Sequence, residues 1–164
     1  MLVNGQQQQF IDIADRAFQY GDGCFTTIAY RNNQLELFDE HIKRLQKACH
    51  VLSINFDKWV NLQDCILESL PANDCVIKVI ISRGVGGRGY SPKGVGHANF
   101  VISHHLIPSH YPEWQSTGIN LSVSSVNLAI QPLLAGIKHL NRLEQVFIKQ
   151  ALEPVPYDEV IGGD

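Results

Sequence analysis

The sequence predicts an α+β domain of two layers, followed by the beginning of a second domain. Two observations predict the first domain: strand patterns separated by turns fill the first 40 residues, and two amphipathic helical patterns then precede two long apolar runs. A third observation predicts the second domain, because a stretch with two prolines at 107–116 precedes a new strand and a new helix. We therefore place a small N-terminal domain at 1–106, an interdomain linker at 107–117 and a C-terminal domain at 118–164.

The N-terminal third of the chain is predicted to hold short strands. An Asn-Gly dipeptide at 4–5 predicts a hairpin turn, and Arg31-Asn32-Asn33 predicts a second turn. Residues 15–22 follow neither the two-residue period of a strand nor the 3.6-residue period of a helix, and they are predicted to be irregular. The strand patterns are at 2–3, 6–11, 24–30 and 34–38.

Two helices follow, each with apolar residues at helical spacing. Asp39 and Asp57 are predicted to be the N-caps, and Pro71 with Asn73-Asp74 to end the second helix. The residues predicted to face the core are Ile42, Leu45, Cys49 and Leu52 in the first helix and Trp59, Leu62, Ile66 and Leu70 in the second. Arg44 lies beside the apolar stripe that the core-facing residues of the first helix form, and it can point out of the core at one edge.

The remaining elements alternate between apolar runs and glycine-rich or proline-rich connections. Cys75–Ser82 is almost entirely apolar, which is typical of a strand inside a sheet, and 98–104 is its predicted antiparallel partner. The segment between them, 83–96, contains six glycines and one proline and is predicted to be a loop. In the second domain we predict strands at 119–126 and 158–161 and a helix at 140–152. Its inward-facing residues should be Leu143, Val146, Phe147 and Ala151.

Composition excludes several classes of function. The net charge is −3, from 13 basic and 16 acidic residues, so the chain lacks the basic surface of a nucleic-acid-binding protein. No apolar run reaches the length of a membrane span, and the N-terminus has no signal-peptide pattern, so we expect a cytoplasmic protein. The four cysteines form no C-x-x-C pair and the histidines have no metal-site spacing. We therefore expect reduced thiols and no metal.

Lys138 is the side chain with the clearest chemical potential. It stands among the apolar residues Leu134, Ile137 and Leu140, and an amine that loses hydration is deprotonated more easily. A neutral amine is a nucleophile that forms Schiff bases with aldehydes. Spacing alone leaves open the alternative that this lysine lies at a helix start with its ammonium in water.

Three motifs, in the same order along the chain, resemble those of the fold-type IV pyridoxal-phosphate (PLP) enzymes. They are G-D-G-C-F-T-T at 21–27, S-R-G-V-G-G-R-G-Y-S at 82–91 and A-G-I-K-H-L-N-R-L-E-Q-V at 135–146. This group contains the branched-chain and D-amino acid aminotransferases, and the last motif is similar to the lysine segment of its aminodeoxychorismate lyases. The resemblance covers the whole chain. It implies a D-amino acid aminotransferase-like fold with a complete small N-terminal domain and the beginning of a larger C-terminal PLP-binding domain.

The resemblance also implies roles for individual residues. Lys138 would be the Schiff-base lysine and the general base, and Arg44, in an H-x-x-R segment, would bind the PLP phosphate. Arg83, Arg88 and Tyr90 would lie near the substrate, where the arginines could clamp its carboxylates; the alternative is a mobile surface hairpin. Thr27 could reach the cofactor cleft, although a threonine on a half-buried strand is unremarkable.

The function implied is that of a lyase. It would convert 4-amino-4-deoxychorismate to 4-aminobenzoate and pyruvate in folate synthesis, as a homodimer that binds neither nucleic acid nor membranes. The alternatives are an aminotransferase of the same fold and an inactive fragment. The inactive fragment is an alternative because, in the family, the acid that pairs with the PLP pyridine nitrogen follows the segment 158–164, where this chain ends.

Overall fold

The computed structural model describes residues 1–152 and 157–163, so Asp164 lies outside the described residues. Backbone contacts divide the chain into two compact units. The first consists of Met1–Ile107 and Gly136–Leu140, and the second of Pro108–Ala135 and Asn141–Asp164. The segment that carries Lys138 thus belongs to the first unit, although Pro108–Ala135 precedes it in the sequence.

An antiparallel sheet forms one layer of the first unit. The described strands of this unit are β1 (Leu2–Val3), β2 (Gln6–Gln7), β3 (Gly23–Arg31), β4 (Gln34–Leu35), β5 (Cys75–Ser82), β6 (Gly86–Arg88), β7 (Ser91–Val95) and β8 (Asn99–His105). Six of them form a sheet in the order β2-β1-β8-β5-β3-β4. The apolar strand β5 lies between β3 and β8 and is antiparallel to both, which confirms its predicted internal position and its predicted pairing.

Two strands and one loop differ in extent from the prediction. β2 ends at Gln7 rather than at residue 11, and β4 ends at Leu35 because Phe38 begins the next helix. Residues 83–96 are not a simple loop, since β6 and β7 pair there as a short antiparallel ribbon. Glycines that adopt positive φ, such as Gly86 at 116° and Gly87 at 78°, allow this ribbon to bend.

Three helices belong to the first unit: α1 (Arg16–Tyr20), α2 (Phe38–Val51) and α3 (Trp59–Glu68). The prediction that 15–22 is irregular is wrong. The carboxylate of Asp15 accepts the N–H of Ala17 as an N-cap, and Gly21 ends the helix in the left-handed conformation. A helix this short shows no apolar period, and only its two capping residues identify it in the sequence.

The two long helices bury the apolar faces that their spacing predicts. Ile42, Leu45 and Cys49 are buried in α2, as are Leu62 and Ile66 in α3. The side chains at the ends of the predicted stripes, Leu52, Trp59 and Leu70, are only half-buried.

The predicted N-caps of α2 and α3 are wrong. The N-cap positions are held by Leu37 and Lys58, and neither makes a side-chain capping hydrogen bond. Asp39 lies in the first turn of α2, where its charge still interacts favourably with the helix dipole.

Alternation along the sheet separates a core face from an outer face. Cys24, Thr26 and Ile28 of β3 are fully buried, and β3 contacts α2. The intervening side chains, Phe25 and Thr27, lie on the other face and are half-buried and exposed, respectively. The sheet therefore presents one fully packed surface and one that is partly open.

The second unit contains α4 (Tyr111–Thr117), β9 (Leu121–Val123), α5 (Leu143–Leu152) and β10 (Glu159–Ile161). The strands β9 and β10 pair in parallel. The strands predicted at 119–126 and 158–161 and the helix predicted at 140–152 are all present but shorter. The segment interpreted as a linker includes α4, a helix that the sequence analysis does not predict.

The inward face predicted for α5 is wrong. Leu143, Val146, Phe147 and Ala151 are exposed, and among the side chains of this helix that the structure describes Ile148 is instead the buried one. Ile148 faces a cavity of about 330 Å³ lined by Leu128, Val160 and Gly162, among others. In the described part of the second unit, β9 and β10 form a sheet of only two strands, which is too narrow to cover the rest of the helix.

Candidate active site

Gly136–Leu140 extends the sheet of the first unit along the free edge of β3. The short strand β4 covers only Tyr30 and Arg31, which leaves the N-terminal half of that edge open. There Phe25 donates its N–H to the carbonyl of Lys138 (2.9 Å), and Leu140 donates to the carbonyl of Gly23 (3.0 Å). Cys24 pairs with His139 in an antiparallel bridge. Backbone hydrogen bonds thus fix the position of Lys138.

The close pairing depends on the absence of a side chain at Gly23. A Cβ atom at this position would lie 2.4 Å from the carbonyl oxygen of Ile81 and 2.7 Å from Cδ1 of Leu140. Both distances are shorter than a non-bonded contact permits, and Ile81 belongs to an internal strand that cannot easily move. Glycine therefore allows β5, β3 and the lysine segment to approach one another.

The amine of Lys138 lies over an aromatic ring on the outer face of the sheet. Its Nζ is 4.7 Å from the ring centroid of Phe25, and Nζ of Lys78, from β5, is 5.2 Å from the same centroid. Aromatic faces attract cations at such distances. The half-buried Lys138 is thus held at the sheet edge, with a second positive charge nearby.

Arg44 lies on α2 as part of a three-residue polar cluster. The hydroxyl of the fully buried Thr26 is 2.6 Å from Nδ1 of His41, and Nη1 of Arg44 donates to the same hydroxyl over 3.5 Å. Burial lowers the pKa of His41, and the positive charges of Arg44 and Lys138 lower it further. The Arg44 side chain remains exposed, as the sequence predicts for the edge of the apolar stripe.

Arg83 is engaged in a structural network. It binds both carboxylate oxygens of Asp22 and also donates to the backbone carbonyls of Leu52 and Ser53. Burial by itself raises the pKa of Asp22, but its hydrogen bonds and charge interactions with Arg83 and Arg16 outweigh burial and lower it below the usual value. Asp22 is therefore a carboxylate at neutral pH that joins two guanidinium groups.

The ribbon formed by β6 and β7 carries the other two candidates from the glycine-rich motif. Arg88 and Tyr90 are exposed, and the Tyr90 ring meets Tyr20 edge to face at 5.6 Å. The turn of the ribbon is held by Arg16, whose guanidinium donates to the carbonyls of Gly89, Tyr90 and Ser91. A buried arginine thus anchors a turn whose own side chains are exposed.

Thr27 is exposed on the outer face and pairs across the sheet with Lys78. The sequence motifs assigned no role to two side chains of this region, namely Lys78 and His41. Two features of the sequence could have indicated which side chains share a face in this region. Strand alternation separates Thr26 from Thr27, and the i, i+3 spacing of His41 and Arg44 places them on the same side of a helix.

Among residues 1–152 and 157–163, no three His, Cys, Asp or Glu side chains are close enough to hold a metal ion. No helix in this part of the chain has the length and apolar character needed to cross a membrane.

Comparison with known proteins relates this arrangement to a family. The family model "Amino-transferase class IV" matches residues 23–164. An aminodeoxychorismate lyase from Vibrio harveyi is 42% identical over 160 residues, which make up 97% of this chain and 59% of that relative.

Two solved structures share the fold. The 4-amino-4-deoxychorismate lyase from Pseudomonas aeruginosa has a TM-score of 0.89 and 35% identity, and the match covers 98% of this chain and 60% of the other. A hypothetical aminotransferase from Mycobacterium tuberculosis in its PLP-bound form has a TM-score of 0.78, 17% identity and the same two coverages. The chain thus spans about 60% of the length of the relatives it matches. It belongs to the class IV aminotransferase family, the fold-type IV group that its three motifs predict.

Proposed function

We propose that the protein containing this chain is a PLP-dependent lyase that converts 4-amino-4-deoxychorismate to 4-aminobenzoate and pyruvate in folate synthesis. The observation that carries the proposal is the position of Lys138, fixed by backbone pairing to β3 within a motif typical of the family. The identity of 42% with a relative named aminodeoxychorismate lyase favours the lyase branch. The proposal includes a cytoplasmic homodimer, as is typical of the group.

The side chains present fit PLP. The cofactor requires an amine for its aldehyde and cationic donors for its phosphate. Lys138 supplies the amine, and Arg44 supplies an exposed guanidinium on the neighbouring helix. Burial lowers the pKa of His41, and the positive charges of Arg44 and Lys138 lower it further. Both charges therefore act on the same imidazole. An amine and a guanidinium are thus available in one region of the first unit.

The reaction requires a proton to be moved from the substrate ring. Bound PLP supplies an electron sink for the charge that develops on the substrate carbon. Nζ of Lys138, freed from the cofactor by the amine of the substrate, would accept the ring proton. The bond between the ring carbon and the enolpyruvyl oxygen would break, and the enolpyruvate released would take up a proton to become pyruvate. This loss is favoured because the ring becomes aromatic. Thr27, on the same face as Phe25, can donate a hydrogen bond to the substrate.

The substrate carries two carboxylates that need cationic partners. We assign Arg88, with Tyr90 beside it, to this role, because both side chains are exposed on the ribbon. A mobile hairpin that serves a neighbouring subunit is the alternative for this pair. Arg83 has a structural role in this proposal, since four of its N–H···O contacts are made to Asp22, Leu52 and Ser53.

A second candidate function is transamination, which the family description itself favours. Both reactions use the same lysine as a base, so the geometry around Lys138 does not separate them. They differ in product, because only the lyase releases pyruvate from 4-amino-4-deoxychorismate. An aminotransferase would instead aminate a keto acid.

The experiment is an assay of the complete protein that contains this chain, with PLP added. We expect pyruvate release from 4-amino-4-deoxychorismate and a loss of about 10²–10⁴-fold or more in Lys138→Ala, the range for a removed general base. Lys43→Ala is the matched control, since this lysine is exposed and pairs with Glu40 on the same helix. Keto-acid amination without pyruvate release would support the second candidate, and full activity of Lys138→Ala would contradict both.

A further inference from the structure

Thr26, His41 and Arg44 form a chain of polar contacts that leads from the buried face of β3 to the exposed edge of α2. The contact between Thr26 Oγ1 and His41 Nδ1 is short, at 2.6 Å, and that between Arg44 Nη1 and Thr26 Oγ1 is longer, at 3.5 Å. Thr26 is completely buried, so water cannot satisfy its hydroxyl group. The two neighbouring side chains must therefore do so.

The direction of the hydrogen bonds follows from the chemistry of the three groups. A guanidinium can only donate, so the Thr26 oxygen is the acceptor for Arg44. The hydroxyl proton of Thr26 then needs an acceptor, and among the contacts of this hydroxyl Nδ1 of His41 is the atom that can accept it. This arrangement requires a neutral imidazole with its proton on Nε2.

We propose that neutral His41 is a positioning residue for the phosphate of the cofactor: it fixes the Thr26 hydroxyl, which in turn holds the guanidinium of Arg44. The inference rests on the proposed function, because it requires PLP to be the ligand. His41 itself need not touch the phosphate. Its effect is to orient, ahead of binding, an otherwise exposed arginine, so that less conformational freedom is lost when the anion binds.

Protonation of His41 would reverse the arrangement. The Nδ1–H of an imidazolium can only donate, so the Thr26 hydroxyl would lose its acceptor and would have to turn. The charges that face His41 are those of Arg44 on its own helix and Lys138 on the segment paired with β3, and β3 itself contributes the neutral Thr26. Burial lowers the pKa of His41, and before the cofactor binds both charges lower it further, so the neutral imidazole is favoured. PLP affinity should consequently fall in acid as His41 becomes protonated.

The test is an equilibrium measurement of PLP affinity against pH for the complete protein and three variants. His41→Asn is the conservative variant, because its amide oxygen can accept from Thr26 but does not titrate. His41→Phe removes the acceptor. His50→Asn replaces an exposed histidine near the end of the same helix and is the matched control. Pyridoxal, which lacks the phosphate, is the control ligand.

At neutral pH we expect His41→Phe to weaken PLP binding about tenfold, equivalent to about 1.4 kcal/mol, with little change for pyridoxal. His41→Asn should keep most of the affinity for PLP at neutral pH. As the pH falls, its affinity should decrease less than that of His50→Asn, which retains His41. An acid decline unchanged in His41→Asn, or equal losses for PLP and pyridoxal in His41→Phe, would overturn the positioning role while the proposed function stands. A wild-type protein that does not bind PLP would overturn both.

Discussion

Asp22 shows how a single carboxylate can organise the surroundings of a site without acting in it. Its two oxygens bind Arg16, which holds the turn of the β6–β7 ribbon, and Arg83, which binds the carbonyl groups at the end of α2. Two guanidinium groups side by side repel each other unless an anion lies between them. Asp22 therefore stabilises both arginines and the two segments that they hold.

We expect Asp22→Asn to lower the free energy of unfolding by about 1.5–3 kcal/mol, the range for hydrogen bonds to charged groups. The pKa of Asp22 is lowered in the folded state, so its contribution is fully present above the unfolded carboxyl pKa of about 4 and is lost as pH falls through the lowered value. The difference between wild type and variant should accordingly shrink in acid. Urea unfolding at several pH values measures this.

Asp57→Asn is the matched control for Asp22. Asp57 is exposed and does not cap α3, whose N-cap position is Lys58. Its substitution should change stability by less than about 0.5 kcal/mol, as for most surface sites. A stability gap for Asp22→Asn that stays constant from neutral pH into acid would contradict the assigned charge pairing.

At the residue scale, the sequence identified groups that carry chemistry more readily than groups that hold them. Lys138 and Arg44 have evident chemical roles at their motif positions, whereas Thr26 and His41 stand in the same motifs as common residue types whose contact depends on the packing of α2 against β3. Such contacts form between residues far apart in the sequence. Periodicity shows which face a side chain occupies, but not which partner it meets.

At the element scale, β3 is the strand on which the site depends. Its residues pair with β5 along one edge and with the lysine segment along part of the other. The sequence predicted the strand itself and its neighbour β5, because both have β-branched and apolar residues in runs of suitable length. It did not predict the pairing with 138–140, since three residues without a strand pattern give no signal.

Gly23→Ala should disturb this pairing. The added methyl group would overlap the carbonyl of Ile81 and the side chain of Leu140, and overpacking of this kind costs about 1–3 kcal/mol. Because β5 is internal, we expect the lysine segment to move instead. Faster hydrogen exchange of the Leu140 amide, which donates to Gly23, would report that movement.

Gly96→Ala provides the control for Gly23. A methyl group there would meet only the carbonyl of Val85, at an ordinary 3.6 Å. Its thermal stability and the exchange of the Leu140 amide should be close to those of wild type. Equal behaviour of Gly23→Ala and Gly96→Ala would show that the pairing tolerates a side chain at residue 23.

At the scale of the whole molecule, the predicted class and the order of the main strands and helices were correct, whereas the packing of the second unit was not. The patterns of α2, α3 and β5 are complete, and each finds a partner within the first unit. The apolar residues of α5 follow a helical period, but Leu143, Val146 and Phe147 are exposed in the structure. A period indicates which residues can be buried, and burial also needs a surface to pack against.

This difference in packing leads to a prediction about local stability. The fully buried side chains of the described residues are concentrated in β3, β5, β8 and the two long helices of the first unit, and Ile148 is the buried hydrophobic side chain of the described second unit. Free energies of local opening follow buried contacts and hydrogen bonding. In the 164-residue chain, we therefore expect the amides of β5 to exchange most slowly and those of α5 much faster. Hydrogen exchange followed by mass spectrometry measures both in one sample. Protection of α5 equal to that of β5 would show that the second unit is as stable as the first, and that burial in this chain does not determine local stability.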